Sequence, residues 1–252
     1  MYDFQKANMW KRISAALFDL ILIAIGVIGM AFLLSTALGY DSYVSDLEKV
    51  YDKYEDSYGV DFDITAAQYD ALSEEERENY DSASKAVSED KEAVYIYGML
   101  INFTLIIIIF SILFAYLLFE FLVPLLFKNG QTLGKKVFGI GVMREDGVKI
   151  SPLLLFARTV LGKYTLETMI PVLIIVMTYF GSVGIFGTAV IGLLLLVQII
   201  MISSTKANTP IHDKLAHTVT VDMASQMIFD TPEDMLLYKQ RIHAQEAEKA
   251  DY

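Results

Sequence analysis

Three long stretches of this chain carry almost no charge: about Ile13–Leu38, Val94–Phe127 and Ile170–Ile202. Apolar runs longer than ~18 residues read as helices that cross a bilayer, because lipid offers the backbone no hydrogen-bond partner outside the segment itself. With 54% hydrophobic residues and a mean hydropathy of +0.44, the chain reads as an all-α integral membrane protein. The first run exceeds the ~7–15-residue core of a signal peptide and holds a carboxylate, Asp19, so a retained helix is expected. Cysteine is absent, which excludes disulfides and thiolate metal sites. No cofactor, metal or nucleic-acid partner is expected.

The third run is too long for one upright span. As a single helix, Ile170–Ile202 extends about 50 Å against a hydrocarbon core of ~30 Å. Gly181, Gly184 and Gly187 sit at its middle and suggest a hairpin of about Thr165–Phe180 and Ile185–Ser203. The expected architecture is a small bundle of four transmembrane helices, with three as the alternative if the run is one tilted helix. Ser151 followed by Pro152 marks a helix start. The stretch it opens, punctuated by Arg158 and Lys163, reads as a short interfacial helix or as one packed on the bundle.

Charge is distributed unevenly between the runs. Residues 39–93 hold 17 Asp/Glu and 5 Lys/Arg, whereas 128–163 hold 7 Lys/Arg and 2 Asp/Glu. Lys6, Lys11 and Arg12 stand against Asp3 at the N-terminus. Basic residues near span ends stay cytoplasmic. The chain then divides into a cytoplasmic N-terminus with the first span (1–38), an acidic extracytoplasmic loop (39–93) and a second span (94–127). A basic cytoplasmic loop (128–164), a hairpin (165–203) and a cytoplasmic tail (204–252) follow. Capping boxes at Thr65/Gln68 and Ser73/Glu76 predict short helices inside the acidic loop.

Asp19 is the main candidate for chemistry. An intramembrane carboxylate costs on the order of 2.5–3.5 kcal/mol and faces a bundle interior or watery cavity. Arg12 is seven residues back on nearly the same helix face, about 10 Å away along the axis, so a third group is expected between them. Ala15, Leu22, Gly26 and Gly29 lie near that stripe. Asp19 either fixes helix packing or exchanges a cation for a proton. Asn102, Tyr116 and Glu120 share a face of the second span, and Glu120 could meet Arg12. Gln198 is expected to bond between helices. Gly130-Gln-Thr-Leu-Gly134-Lys135-Lys136 is one residue short of a phosphate loop and lacks its Ser/Thr. Lys135, Lys136 and Arg158 could instead meet anionic lipid headgroups. Near His212, Asp213 could pair with a basic residue.

Together these stretches resemble the RDD family of membrane proteins, named for one arginine and two aspartates. The resemblance rests on Arg12 with Asp19, on Asn129-Gly-Gln-Thr-Leu-Gly-Lys-Lys136, and on Ile211-His-Asp-Lys-Leu-Ala-His-Thr-Val219, over about residues 8–222. It implies that Asp213 is the second aspartate and that transport is the activity, some members exchanging sodium for protons. No enzyme site is expected. The leading expectation is exchange of monovalent cations for protons by a homo-oligomer in the lipid bilayer. In it Asp19 is the carrier, Arg12 tunes its pKa and Asp213 gates the cytoplasmic mouth. The alternative is a non-transporting accessory protein that binds partners through its acidic loop and charged tail.

Overall fold

The computed structural model describes residues 5–127, 129–205 and 207–250, the side chains of 248–250 aside. Asp3, counted in the N-terminal charge balance, and Lys128, the start of the basic loop, lie outside the described residues, as do Lys206 and the last two residues of the tail.

Among the described residues, four helices are long and apolar enough to cross a membrane: Met9–Leu38, Lys91–Phe127, Pro152–Tyr179 and Gly184–Ser204. In chain order, α1 (Met9–Leu38) is followed by α2 (Tyr40–Tyr58), α3 (Ala66–Asp70), α4 (Glu74–Glu89) and α5 (Lys91–Tyr116). A wide, π-helical stretch, Leu117–Leu122, carries α5 into α6 (Val123–Phe127). Next come α7 (Leu133–Val137), β1 (Ile140–Arg144) and α8 (Pro152–Phe156). A second wide stretch, Ala157–Met169, joins α8 to α9 (Ile170–Tyr179). The chain ends with α10 (Gly184–Ser204), α11 (Ile211–Leu215), β2 (Thr218–Asp222) and α12 (Pro232–Ala250).

The all-α membrane class holds, with one small addition: β1 and β2 pair antiparallel, with Ile140 opposite Asp222 and Arg144 opposite Thr218. The stretch after Ser151 is not a separate interfacial helix but the first half of the third span, which runs unbroken from Pro152. One tilted helix over Ile170–Ile202 is excluded. The chain turns between Tyr179 and Gly184, and Gly181 takes φ +71° there, where a side chain would be strained.

Both wide stretches have a local cause. Proline lacks the N–H that would bond the carbonyl four residues back. Pro124 thereby releases the carbonyl of Glu120, and Pro171 that of Glu167. The helix compensates with i→i+5 bonds, from Val123 N–H to Leu118 and from Ile170 N–H to Thr165. The freed Glu120 carbonyl accepts the Thr159 hydroxyl at 2.9 Å.

The chain forms two compact units, one of residues 5–27 with 112 onward and one of 28–111. In the second, Val50, Ala93, Ile96 and Leu100 form a core on which Tyr43, Leu47 and Tyr54 pack. The acidic segment is largely helical here, and the capping boxes at Thr65/Gln68 and Ser73/Glu76 are both formed. In the first, Gly26 lets α1 approach the second span closely: a Cβ there would lie 2.7 Å from the Phe119 ring.

Candidate functional site

The first unit holds a partly open cavity of about 230 Å³. Its wall includes Arg12, Asp19, Lys135, Arg158, Lys163 and His212. So many ionisable groups are tolerated away from water only where they partner one another.

Asp19 points inward from α1 and is 4% exposed. The turn Gln131–Lys135 is wrapped around its carboxylate. Thr132, the N-cap of α7, donates its hydroxyl to Oδ2, and the Gly134 N–H donates to Oδ1 at 2.8 Å. The motif that looked like a phosphate loop thus presents its donors to the chain's own anion. Gly134 is required: a Cβ there would lie 2.3 Å from the Ala15 carbonyl and 2.9 Å from Asp19 Oδ1.

Asp213 is the most enclosed acid, 1% exposed. Arg158 Nε donates to Oδ1 at 2.6 Å. The hydroxyls of Thr218 and Thr220 donate at 3.0 and 3.2 Å. Alternation along β2 sends these two threonines to one face, so the strand pair exists where Asp213 needs donors. Arg12 Nη2 stands 3.9 Å from Asp213 Oδ2, and Nη1 donates to the Ala207 carbonyl at 3.1 Å. Burial alone would push the Asp213 carboxyl up. Arg158, His212 and Arg12 outweigh it and hold the group well below the usual range.

Glu120 is held by the Lys163 ammonium, with Lys135 Nζ 3.9 Å from Oε2. Lys135 also reaches Thr132 Oγ1 at 3.3 Å. Burial, and after it the charge of Lys163, lowers the Lys135 ammonium to about 8. Glu167 accepts from the backbone N–H of His212 at 3.0 Å and faces its ring Nδ1 at 2.8 Å. Burial and Arg158 lower the His212 pKa despite the two nearby acids, so the ring is neutral at pH 7 and donates from Nδ1. Gln198 bridges elements as expected: its amide donates to Glu167 at 3.3 Å and accepts from Ile211 N–H at 3.2 Å.

The structure therefore brings Arg12, Asp19, Glu120, Asp213, Lys135 and Arg158 into one unit, in pairings other than those expected. Arg12 is placed against Asp213 and the Ala207 carbonyl rather than against Asp19. Asp213 is immobilised by Arg158 and two threonines, which removes the groups a gate would need to swing. Glu120 meets lysines rather than Arg12, because the wide stretch turns it toward them. Lys135 and Arg158 are buried against carboxylates and so are not placed for headgroups. Lys136 is exposed and lies over the Phe127 ring at 3.8 Å. Asn102 is exposed in the other unit and has no part in this cluster. Sequence reasoning missed Lys163, Thr132 and Glu167. The last had a signal: Glu120-x-x-x-Pro124 recurs as Glu167-x-x-x-Pro171.

The RDD family model matches residues 6–217 of the chain. The chain belongs to the RDD family. No curated protein and no solved structure matches it. In this RDD protein the three eponymous residue types do not form one triad. Arg12 and Asp213 belong to a closed ion-pair set with Arg158, while Asp19 stands apart on neutral donors.

The described residues around the cavity balance. Asp19, Glu120, Glu167 and Asp213 give four negative charges; Arg12, Lys135, Arg158 and Lys163 give four positive ones, with His212 neutral. Asp19 has no salt bridge among the described residues, and Glu167 meets only the neutral His212; of these two acids Asp19 is the one that lines the cavity. Its negative charge is held by dipoles, which tolerate its neutralisation better than a buried cation would.

Proposed function

We propose that the protein is a small membrane transporter, not an enzyme, that exchanges a monovalent cation for protons at Asp19. The reading is carried by one observation: Asp19 lines the cavity and is the acid there without a cationic partner. A proton and a monovalent cation neutralise a carboxylate equally, so either can occupy the site without unbalancing the charges around it. The ion pairs of Asp213 and Glu120 then form a fixed frame, with Asp213 as an anchor. The protein works as a homo-oligomer in the cell membrane, because four helices alone make a thin wall around a pathway. Basic residues at both ends of the site support cytoplasmic termini, with the acidic segment outside.

The test is proton flux in liposomes holding a pH-sensitive dye, after a sodium or lithium jump. The wild type should show flux. Asp19→Asn should lose it while remaining folded, because the amide oxygen still accepts from Gly134 and its NH₂ can donate to Thr132. Flux in Asp19→Asn equal to wild type, or none in the wild type, refutes the reading.

A further inference from the structure

The second unit has its own cavity, of about 510 Å³, between α2, α4 and the start of α5. This is the size of a pocket for one small organic molecule. Its wall is mainly aromatic and aliphatic: Leu47, Tyr51, Phe62, Tyr80, Val87 and Tyr97, with Ser84 and Ser88 adding hydroxyls to those of the tyrosines. The rings form a series. The Tyr51 and Phe62 centroids are 5.6 Å apart, and those of Phe62 and Tyr80 are 5.5 Å apart.

No Lys, Arg, Asp or Glu lines the wall among the described residues, yet carboxylates stand directly behind it. Glu55 accepts the Phe62 N–H at 2.7 Å. Asp81 accepts the Tyr69 hydroxyl at 2.7 Å, and the Tyr69 ring packs on Tyr80 at 5.1 Å. Asp90 accepts the N–H of Ala93, another wall residue, at 3.2 Å. Residues 39–93 carry 5 positive against 17 negative charges, a net of −12. The negative faces of aromatic rings attract a cation, and low-dielectric walls set in an acidic surface focus that attraction.

We propose that this cavity binds a lipophilic organic cation, an ammonium or phosphonium centre carrying aryl or alkyl groups. Both halves of that chemistry are matched: the apolar groups by the wall, the charge by the ring faces and the carboxylates behind them. A neutral apolar guest gains only the first half, and an anion of the same shape is repelled. Val94 and Tyr97 belong to the first turns of the second span, so a guest partitioned at the bilayer surface reaches the cavity. The proposal does not depend on transport at Asp19.

The test is equilibrium binding of radiolabelled tetraphenylphosphonium to the full-length protein in neutral-lipid nanodiscs, with empty nanodiscs subtracted. A saturable one-to-one component is expected. Tyr80→Ala and Phe62→Ala should each weaken it about tenfold. Ser84→Phe, which fills the cavity from the exposed side of α4, should abolish it with helicity and melting unchanged. Asp19→Asn should bind as the wild type does. Tetraphenylborate, the same shape with the opposite charge, titrated on its own because it ion-pairs with the phosphonium, should show no saturable component. The proposal is overturned by the lack of a saturable component for the phosphonium, by an equal one for tetraphenylborate, or by unchanged binding in a folded Ser84→Phe variant.

Discussion

Replacing Arg158 by Met removes the closest partner of the most enclosed acid. Asp213 is 1% exposed and would keep two threonine hydroxyls and Arg12 at 3.9 Å. Removing one partner of a buried ion pair costs about 3–5 kcal/mol, since the surviving charge stays desolvated. Arg12 remains close enough to soften this, so about 3 kcal/mol is expected, a factor of roughly 150 in the folding equilibrium. The assay is unfolding by SDS titration followed by circular dichroism. The pH dependence supplies a second readout. In the wild type the Asp213 pKa is depressed from 3.8. Its contribution is therefore present above 3.8 and is lost only as the pH falls through the lower folded value. Without Arg158 the depression shrinks, because burial is then opposed only by His212 and Arg12, so Arg158→Met should lose less stability than the wild type as pH falls below 3.8. Arg158→Met/Asp213→Leu should recover most of the loss, because the Asp213 carboxylate is no longer left buried without its closest partner. A cost below about 1 kcal/mol, the value of a solvated surface pair, or a double variant no better than the single one, would refute the closed ion-pair set.

Gly134→Ala should destabilise by about 1–3 kcal/mol as overpacking does, and should abolish flux in liposomes, because the new Cβ meets the Ala15 carbonyl and pushes the turn off Asp19. Thr132→Val should cost about 1–3 kcal/mol by leaving Asp19 short of a donor, while Thr132→Ser stays near wild type in the same unfolding titration. Lys135 has a folded pKa of about 8 against 10.5. The unfolded chain therefore binds more protons between those values, and stability should rise with pH across that window; Lys135→Met should remove that part of the slope. Ser73→Ala should cost about 1 kcal/mol through loss of the α4 capping box, visible as reduced helicity and a lower melting temperature.

The spans were legible because hydropathy is local: each apolar run is continuous in sequence. The capping boxes and the Ser151-Pro152 start were legible for the same reason. Asp19 stood out because an apolar run makes a lone carboxylate conspicuous. Its partners did not, because Thr132 and Gly134 are more than a hundred residues away and helix periodicity speaks only for neighbours on one helix. That limit also misdirected Arg12, which shares a helix face with Asp19 yet reaches Ala207 and Asp213. The strand pair escaped because β1 and β2 are each five residues long and lie far apart in the chain. The alternating threonines of Thr218–Val221 were the one trace of it. Hydrophobicity placed the start of the third span too late, since the buried Arg158 and the Lys163 bound to Glu120 lower the apolar score of residues that are helical.

The two Glu-x-x-x-Pro segments explain how so many charges coexist with a membrane-like bundle. Each proline widens the helix just where its glutamate must leave the regular register. Glu120 can then face Lys163 and Lys135, and Glu167 can face His212. Buried ion pairs add little net stability compared with apolar packing, so stability alone does not account for the eight charges around the cavity. The proposed exchange gives them a use, as a frame around a cavity-lining acid that no cation pairs. With Asp19 ionised the set is neutral. Under the proposed exchange a monovalent cation would take the place of a proton there and leave the other seven charges where they are.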